Sequence, residues 1–322
     1  MNKPVLTVVV PCYNEADVLP TTFRALKSAL RSLIEERLVA PESKLLFVDD
    51  GSSDRTWALI AEQNRTDPAV TGLKLARNVG HQKALLAGLE TAAPHSDCMI
   101  TIDADLQDDV GVMRDFLLKF HEGFDIVYGV RSSRDADTWF KRTSARLFYR
   151  FMNGIGIRLI SDHADYRLMS RRAVLELSRY GESHVFLRGL VPLIGFPSAV
   201  VYYERKRRPA GRTKYSLGKM VSFAVNGIAS FSVAPIRFLT FLGFSLLMVC
   251  AVAGAYALIQ KWRGNADAGW TSLMLSIWFL GGLQLLGIGV IGEYVGKIFM
   301  EVKRRPKYAV DVDLYTKRTQ HV

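Results

Sequence analysis

Residues 99–107 read Met-Ile-Thr-Ile-Asp-Ala-Asp-Leu-Gln, a short apolar run that passes directly into two aspartates and a glutamine. The apolar part predicts a buried strand at 99–102, because a strand covered on both faces is apolar almost without interruption. Asp103, Asp105 and Gln107 follow at alternate positions. Such oxygen ligands suit Mg²⁺ or Mn²⁺, although an isolated Asp-x-Asp is more often a solvated acidic turn.

The chain on both sides of this segment alternates short apolar runs with amphipathic stretches. Strands are predicted at residues 5–10, 45–48, 72–75, 99–102 and 125–128. Helices are predicted at residues 19–33, 56–63, 82–93 and 110–121. This rhythm predicts an α/β domain with a mainly parallel, doubly wound sheet.

Four polar segments follow predicted strands, at residues 11–15, 49–54, 77–82 and 103–107. Ligands bind such sheets beyond the carboxyl ends of the strands, so we expect the four segments to converge on one site. That placement favours a metal site over an acidic turn at 103–107. The first strand is not followed by Gly-x-Gly-x-x-Gly, and the chain has no Walker loop, which argues against a dinucleotide dehydrogenase and a P-loop NTPase.

Two long uncharged stretches mark the C-terminal part of the chain. Residues 238–259 are 22 positions without a charge, and residues 270–292 are 23 positions in which Gln284 is the one strongly polar side chain. At about 1.5 Å per residue, either stretch crosses a hydrocarbon core of about 30 Å. One such stretch alone is also consistent with a buried globular helix, whereas two joined by residues 260–269 predict a transmembrane hairpin.

Basic residues predict the orientation of that hairpin. The net charge of +11 is concentrated before the first stretch and after the second, and the connection holds only Lys261 and Arg263. The positive-inside rule therefore places both termini in the cytosol of a multi-pass cell-membrane protein, with anionic lipid favoured over nucleic acid as the partner. The predicted parts are a cytosolic domain at 1–215, an amphipathic interfacial helix at 216–234, two spans within 235–300 and a cytosolic tail at 301–322.

Cysteines and histidines give no metal-site pattern. Cys12, Cys98 and Cys250 are spaced for neither zinc nor a disulfide framework, and each lies in an apolar run. We interpret them as small buried hydrophobic residues. His81 and His163 have no metal-ligand spacing, so we expect ordinary polar loop residues there.

Taken together, the motifs resemble glycosyltransferase family 2. The matching elements are Val-Val-Pro-Cys-Tyr-Asn-Glu (9–15), Val-Asp-Asp-Gly-Ser-Ser-Asp (48–54), Arg-Asn-Val-Gly-His-Gln (77–82) and Asp-Ala-Asp-Leu-Gln (103–107). Further elements at 128–134, 165–171, 208–215 and 292–297 resemble the polyprenyl-phosphate glycosyltransferases, which include dolichol-phosphate mannose synthase and bacterial undecaprenyl-phosphate transferases. Val79 departs from the family, which often has an aromatic residue there.

The resemblance implies a nucleotide-diphospho-sugar transferase fold (Rossmann-like, GT-A type) and an inverting hexosyltransferase, assembled as a homo-oligomer. The implied donor is UDP-glucose or UDP-N-acetylglucosamine, with galactose and aminoarabinose left open as the sugar. The implied acceptor is a polyprenyl phosphate, which would be undecaprenyl phosphate in a bacterium, and the implied cofactor is Mg²⁺ or Mn²⁺. Nucleotide binding is implied for Pro11, Tyr13, Glu15, Asp50, Lys83 and Asp103. The implied metal ligands are Asp103, Asp105 and Gln107. Acceptor or diphosphate binding is implied for Arg131, Arg134, Arg208, Lys214 and Tyr215. The implied catalytic residues are Asp105, Asp165 and Arg167.

Several of these roles have plainer alternatives. A phosphate monoester has its second pKa at about 6, so the lipid phosphate is a charged nucleophile at neutral pH and needs little help from a base. We therefore favour an orienting role for Asp165 over that of a general base. Arg131 and Arg134 are also consistent with surface charges, and Arg208 with membrane adhesion alone.

Two rival functions remain at this stage. A processive polysaccharide synthase of the same family usually carries Gln-x-x-Arg-Trp and a larger membrane bundle, and this chain has neither in its sequence. A non-catalytic membrane scaffold would be favoured by loss of a metal aspartate, but Asp103 and Asp105 are both present.

Overall fold

The computed structural model describes residues 3–132, 163–182, 185–204 and 269–316, together with single helical positions between 236 and 263. The chain divides into two compact units. The first comprises Met1–Asn153, Arg158–Lys214 and Arg305–Val322, and the second comprises Gly154–Ile157 and Tyr215–Arg304.

The first unit contains alternating strands and helices. Its first half consists of β1 (Leu6–Cys12), α1 (Leu19–Glu35), β2 (Lys44–Asp49), α2 (Thr56–Thr66), β3 (Val70–Leu75), α3 (His81–Ala92), β4 (Cys98–Thr101) and α4 (Met113–His121). It continues with β5 (Ile126–Arg131), β6 (His163–Ser170), α5 (Arg171–Ser178), α6 (Leu187–Leu193) and β7 (Ser198–Tyr203). Every element predicted between residues 5 and 128 is present, with ends shifted by a few residues.

These strands form one eight-stranded sheet in the order β7-β5-β6-β4-β1-β2-β3-β8, where β8 is Val310–Asp313. The strands β4, β1, β2 and β3 are parallel, as are β5 and β7. In contrast, β6 is antiparallel to both β4 and β5, and β8 is antiparallel to β3. The sheet is therefore mixed rather than simply doubly wound, because apolar periodicity predicts which residues are buried but not the direction of a strand.

The central strands are covered on both faces. All of β1 is buried, and the apolar side of α1 packs on one face, where the rings of Phe23 and Phe47 lie 4.7 Å apart edge to face. On α3, Gly88 permits a close approach to the sheet, since a Cβ there would lie 2.4 Å from Val9 Cγ1. Cys12 and Cys98 are buried free thiols, as predicted, and Cys250 lies outside the described residues. This packing fixes the ends of the strands that carry the polar loops.

Part of the segment predicted as a cytosolic tail contributes the edge strand β8. The backbone N–H of Ala76 donates to the Ala309 carbonyl at 2.9 Å, which joins the end of β3 to the start of this strand. Tyr315 is buried, and its hydroxyl lies 2.9 Å from Thr7 Oγ1. A four-residue strand is too short for its periodicity to predict it from sequence.

The second unit contains the long helix α7 (Trp270–Val302). Within it, Phe279–Val302 is long and apolar enough to cross a membrane, by length and composition. The helix continues past the predicted end at residue 292, where Glu293 and Lys297 have the i,i+4 spacing that stabilises a helix. The predicted interfacial helix at 216–234 lies outside the described residues, as do 10 of the 22 positions of the first span at 238–259, so the hairpin stays a prediction.

Candidate active site

The loops that follow β1 and β2 are joined by side-chain hydrogen bonds. Asn14 Oδ1 accepts from the backbone N–H of Ser53 at 2.8 Å, and Asn14 adopts a left-handed φ of 54°. Asp54 accepts from the backbone N–H groups of Ala16 at 3.1 Å and Thr56 at 2.9 Å. Thr56 is the first residue of α2, so Asp54 ties the loop after β1 to the start of that helix.

The loop that follows β3 packs against the loop after β2. Both carboxylate oxygens of Asp50 accept backbone N–H groups, from Val79 at 2.7 Å and from Gly80 at 3.0 Å. Gly51 has a φ of 65°, and a Cβ there would lie 2.6 Å from the carbonyl carbon of Arg77. Burial raises the pKa of Asp50, and these two hydrogen bonds oppose the rise. Asp50, expected to contact a nucleoside, therefore also holds the two loops together.

Asp49 and the end of β1 complete this side of the edge. Asp49 is fully buried, burial raises its pKa, and its Oδ2 has no hydrogen-bond partner in the part of the chain that is described. The strand β1 runs through Pro11 to Cys12, so Pro11 belongs to the buried sheet, and Tyr13 is the first exposed side chain beyond it. Of the side chains expected to bind the nucleoside, Tyr13 is thus well exposed and Pro11 is not.

The turn after β4 carries the three predicted metal ligands. The backbone N–H of Gln107 donates to Asp105 Oδ1 at 3.3 Å, and Leu106 between them has a φ of 53°. Gln107 is buried, whereas the Asp103 side chain is 39% exposed. Among the described ranges, no group of three or more His, Cys, Asp or Glu side chains is arranged to hold a metal. The turn fits an ion such as Mg²⁺ that takes one or two protein carboxylates and completes its shell with water and substrate phosphates.

His81 bridges this turn and β6. It is the first residue of α3 rather than a loop residue, and its Nε2 lies 3.6 Å from Asp103 Oδ1 and 3.5 Å from Asp165 Oδ2. Burial lowers the pKa of His81, but the two carboxylates outweigh that effect and raise it. Loss of solvent raises the pKa of Asp103 to about 6, with His81 opposing the rise and the charge of Asp165 adding to it.

Asp165 is surrounded by donors. Its Oδ1 accepts from Arg167 at 2.7 Å and from Arg188 at 3.2 Å, and its Oδ2 accepts from Arg188 at 3.1 Å and from Gln82 at 3.0 Å. Burial acts to raise the pKa of Asp165, but the hydrogen bond from His81 and the two guanidinium charges hold it well below its ordinary value. A carboxylate of such low basicity accepts a proton poorly at neutral pH, which favours the orienting role.

The antiparallel direction of β6 is what brings Asp165 to this edge. Because β6 runs against β4, its first residues lie beside the carboxyl end of β4, where Thr101 Oγ1 donates to the Asp165 carbonyl. Arg167, two residues further along, is buried between Asp165 and the Leu187 carbonyl, to which it donates at 3.4 Å. Arg167 therefore supports Asp165 from inside the protein.

Arg131 ends β5 at the same edge. Its Nη2 lies 3.3 Å from Asp108 Oδ1, and that oxygen also accepts from the Tyr203 hydroxyl at 2.5 Å. Asp108 is buried and directly follows Gln107, so the turn after β4 and the predicted phosphate-binding arginine are linked by one carboxylate.

Not all predicted site residues fall within this cluster. Lys83 lies in the first turn of α3, where its backbone N–H donates to the Gly80 carbonyl at 3.0 Å. Four predicted phosphate-binding residues lie outside the described residues, namely Arg134, Arg208, Lys214 and Tyr215.

Sequence reasoning assigned no role to four residues that the fold brings into the cluster, namely His81, Gln82, Asp108 and Arg188. His81 and Gln82 end the segment 77–82, which the sequence already placed at this edge of the sheet. Their position in that segment is the signal that could have indicated a role at the site. Asp108 follows the acidic turn directly, and Arg188 is a lone charge in an apolar stretch.

Comparisons with known proteins match a family model over about half of the chain and individual relatives over nearly all of it. Residues 7–177 match the model described as glycosyl transferase family 2. The uncharacterized glycosyltransferase YkoT of Bacillus subtilis (strain 168) is 64% identical over 317 residues, which is 98% of this chain and 94% of that protein. The bactoprenol glucosyl transferase of Shigella phage SfII is 38% identical over 307 residues, which is 95% of this chain and 97% of that protein.

A solved structure also overlaps with this one. Mannosyl-3-phosphoglycerate synthase from Rubrobacter xylanophilus is 18% identical, covers 82% of this chain and 76% of its own, and superposes with a TM-score of 0.46. Because both the identity and the TM-score are low, the assignment to a family rests on the sequence matches and not on this structure.

Proposed function

Because the chain belongs to glycosyl transferase family 2, we propose that it transfers glucose from UDP-glucose to polyprenyl phosphate at the cytosolic face of a membrane. Relatives named bactoprenol glucosyl transferase match 95% of this chain, well beyond residues 7–177, which match the family model. That extended similarity supports glucose and a polyprenyl lipid together. UDP-N-acetylglucosamine is the alternative donor.

The observation that carries the proposal is the meeting of acidic and basic groups at one edge of the sheet. Asp103 and Asp105 lie in one turn, and the next carboxylate, Asp108, holds Arg131 at 3.3 Å. A sugar transfer between two phosphate-bearing substrates needs both kinds of group. The carboxylates suit a cation on the leaving diphosphate, and the arginine suits the phosphate of the acceptor.

In the proposed reaction an oxygen of the lipid phosphate forms a bond to the anomeric carbon. The bond from that carbon to the diphosphate breaks, its electron pair leaves with the UDP, and the anomeric configuration inverts. When bound at Asp103 and Asp105, with Gln107 as the further predicted ligand, Mg²⁺ or Mn²⁺ supplies Lewis-acid stabilisation of the leaving diphosphate. Arg131 orients the attacking phosphate, and no proton has to be removed from a dianion, so Asp165 can stay ionised throughout.

Membrane attachment completes the proposal. The apolar segment Phe279–Val302 supports at least one span, and the distribution of Lys and Arg supports two spans with the catalytic unit in the cytosol. A carrier lipid in the cytosolic leaflet would then present its phosphate to the site while its polyprenyl chain stays in the bilayer.

The test is incubation of membranes that contain the full-length protein with polyprenyl phosphate, Mg²⁺ or Mn²⁺ and one sugar nucleotide at a time. Mass spectrometry of the extracted lipids should detect one hexose on the polyprenyl phosphate with UDP-glucose, and nothing in membranes that lack the protein. An N-acetylhexosamine product would replace the proposed sugar. Release of UDP without a lipid product, or a ladder of polymer masses, would contradict the proposed acceptor.

A further inference from the structure

Arg188 is a half-exposed arginine whose orientation is fixed by a buried carboxylate. Its Nε lies 3.2 Å from Asp165 Oδ1, and its Nη2 lies 3.1 Å from Asp165 Oδ2. The Asp165 side chain is only 6% exposed, whereas that of Arg188 is 42% exposed. This two-point contact restricts the planar guanidinium much more than a single hydrogen bond would.

Asp165 is shared by one buried arginine and one accessible arginine. One carboxylate is shared between two guanidinium groups, because Arg167 also donates to it at 2.7 Å. Arg167 is enclosed in the protein, with 2% of its side chain exposed, so of the two guanidinium groups on Asp165 it is Arg188 that a substrate can reach. The pair of Asp165 and Arg188 lies near the acidic turn, since His81 connects Asp165 to Asp103 through contacts of 3.5 and 3.6 Å.

We propose that Arg188 binds a phosphate group of a substrate and that Asp165 is the positioning residue that aims it. The inference rests on the proposed function and deepens it. The site then has two arginines, Arg131 and Arg188, each held by its own carboxylate, Asp108 and Asp165. The reaction likewise has two phosphate-bearing partners, the leaving diphosphate and the lipid phosphate. Either one has the chemistry that Arg188 would recognise.

The competing explanation is that Arg188 only neutralises Asp165. A purely neutralising arginine affects the stability of the fold, but it does not change how tightly one particular substrate binds. Separate KM values for the two substrates therefore distinguish the two roles.

The experiment uses the full-length protein in detergent micelles and varies UDP-glucose and polyprenyl phosphate in turn. Arg188→Gln should raise the KM for one of the two substrates by about tenfold or more, as loss of a hydrogen bond to a charged group predicts. Arg188→Lys keeps the positive charge but loses the planar guanidinium with its paired N–H donors. Its KM should therefore lie between those of the wild type and Arg188→Gln. A rise for UDP-glucose assigns the diphosphate, and a rise for the lipid assigns the acceptor phosphate.

Arg171→Gln is the matched control. Its side chain is 45% exposed and pairs with Asp97 at 3.1 Å, just before the amino end of β4 and thus at the opposite edge of the sheet. Both KM values of this variant should stay within twofold of the wild type. If Arg188→Gln and Arg188→Lys are folded and both of their KM values also stay within twofold, the inference is overturned, even where kcat falls.

Failure of this inference is distinguishable from failure of the proposed function. A wild-type protein that makes no lipid-linked hexose contradicts the proposed function, whatever the variants do. In that case equilibrium binding of UDP still tests the diphosphate assignment, because Arg188→Gln should weaken it about tenfold while Arg171→Gln leaves it unchanged. Equal UDP affinity of these two variants would overturn the diphosphate assignment, which is the one phosphate role left to Arg188 once lipid transfer is excluded.

Discussion

The turn after β4 and the start of β6 lie on either side of His81. The pKa values of one carboxylate from each, Asp103 and Asp165, are shifted in opposite directions. The Asp165 side chain is 6% exposed and that of Asp103 is 39% exposed, yet it is Asp165 whose pKa falls and Asp103 whose pKa rises to about 6. Burial acts to raise the pKa of both carboxylates, and it is at Asp165 that charged and hydrogen-bonding partners outweigh it. The start of β6 has its own cations, whereas the turn after β4 is suited to receive one with the substrate.

The largest effect is expected from removing a carboxylate of the turn. Asp105→Ala should reduce sugar transfer by about a thousandfold, equivalent to about 4 kcal/mol, because it removes a predicted ligand of the ion that stabilises the leaving diphosphate. The assay is formation of lipid-linked hexose by membranes with matched protein content. Asp115→Ala, which removes an exposed carboxylate from the first turn of α4, should retain full activity. An active Asp105→Ala protein would remove Asp105 from the metal site.

The next effect concerns stability at the start of β6. Asp165→Asn leaves the buried guanidinium of Arg167 without its charged partner, which should lower the free energy of unfolding by about 3–5 kcal/mol at pH 7. Because the folded-state pKa of Asp165 is lowered, its contribution is complete above the unfolded pKa of about 4 and is lost as the pH falls through the folded value. The difference in thermal unfolding between variant and wild type should therefore shrink in acid.

A surface pair provides the control for that measurement. Asp311→Asn breaks the exposed pair with Lys74, and such pairs contribute about 0–1 kcal/mol. If Asp165→Asn were no more destabilising at pH 7 than Asp311→Asn, the idea that Asp165 balances a buried charge would have to be abandoned.

The smallest effect on stability is expected at Asp103, where removing the charge should stabilise the protein rather than destabilise it. Its folded-state pKa of about 6 lies above the unfolded value, so ionised Asp103 opposes folding above about pH 6 and has no such effect below about pH 4. Asp103→Asn should therefore unfold a few degrees higher than the wild type at pH 8 in the presence of a chelator, and at the same temperature at pH 4. The partial exposure of Asp103 keeps the shift small. A variant less stable than the wild type at pH 8 would contradict the expectation that ionised Asp103 opposes folding.

Much of the site at this edge of the sheet could be predicted from the sequence. The four polar segments occur at the carboxyl edge as expected, and the family identified from them is confirmed by the match over residues 7–177. The partners of Asp165 could not be predicted in the same way. Gln82 and Arg188 are 83 and 23 residues away from it along the chain, and neither lies in a pattern that indicates a contact. The edge strand β8 was missed for the same reason, since Tyr315 contacts Thr7 across 308 positions.

The sequence by itself determined which residues are buried in strands, which loops follow them and to which family the chain belongs. Those features are local, because apolar periodicity and a motif at the end of a strand are written in consecutive residues. Only the tertiary structure decided that β6 runs antiparallel between β4 and β5. That direction places Asp165 among two arginines and opposite Asp103, because the start of an antiparallel strand lies beside the end of its neighbour. The donors gathered there hold the pKa of Asp165 well below its ordinary value.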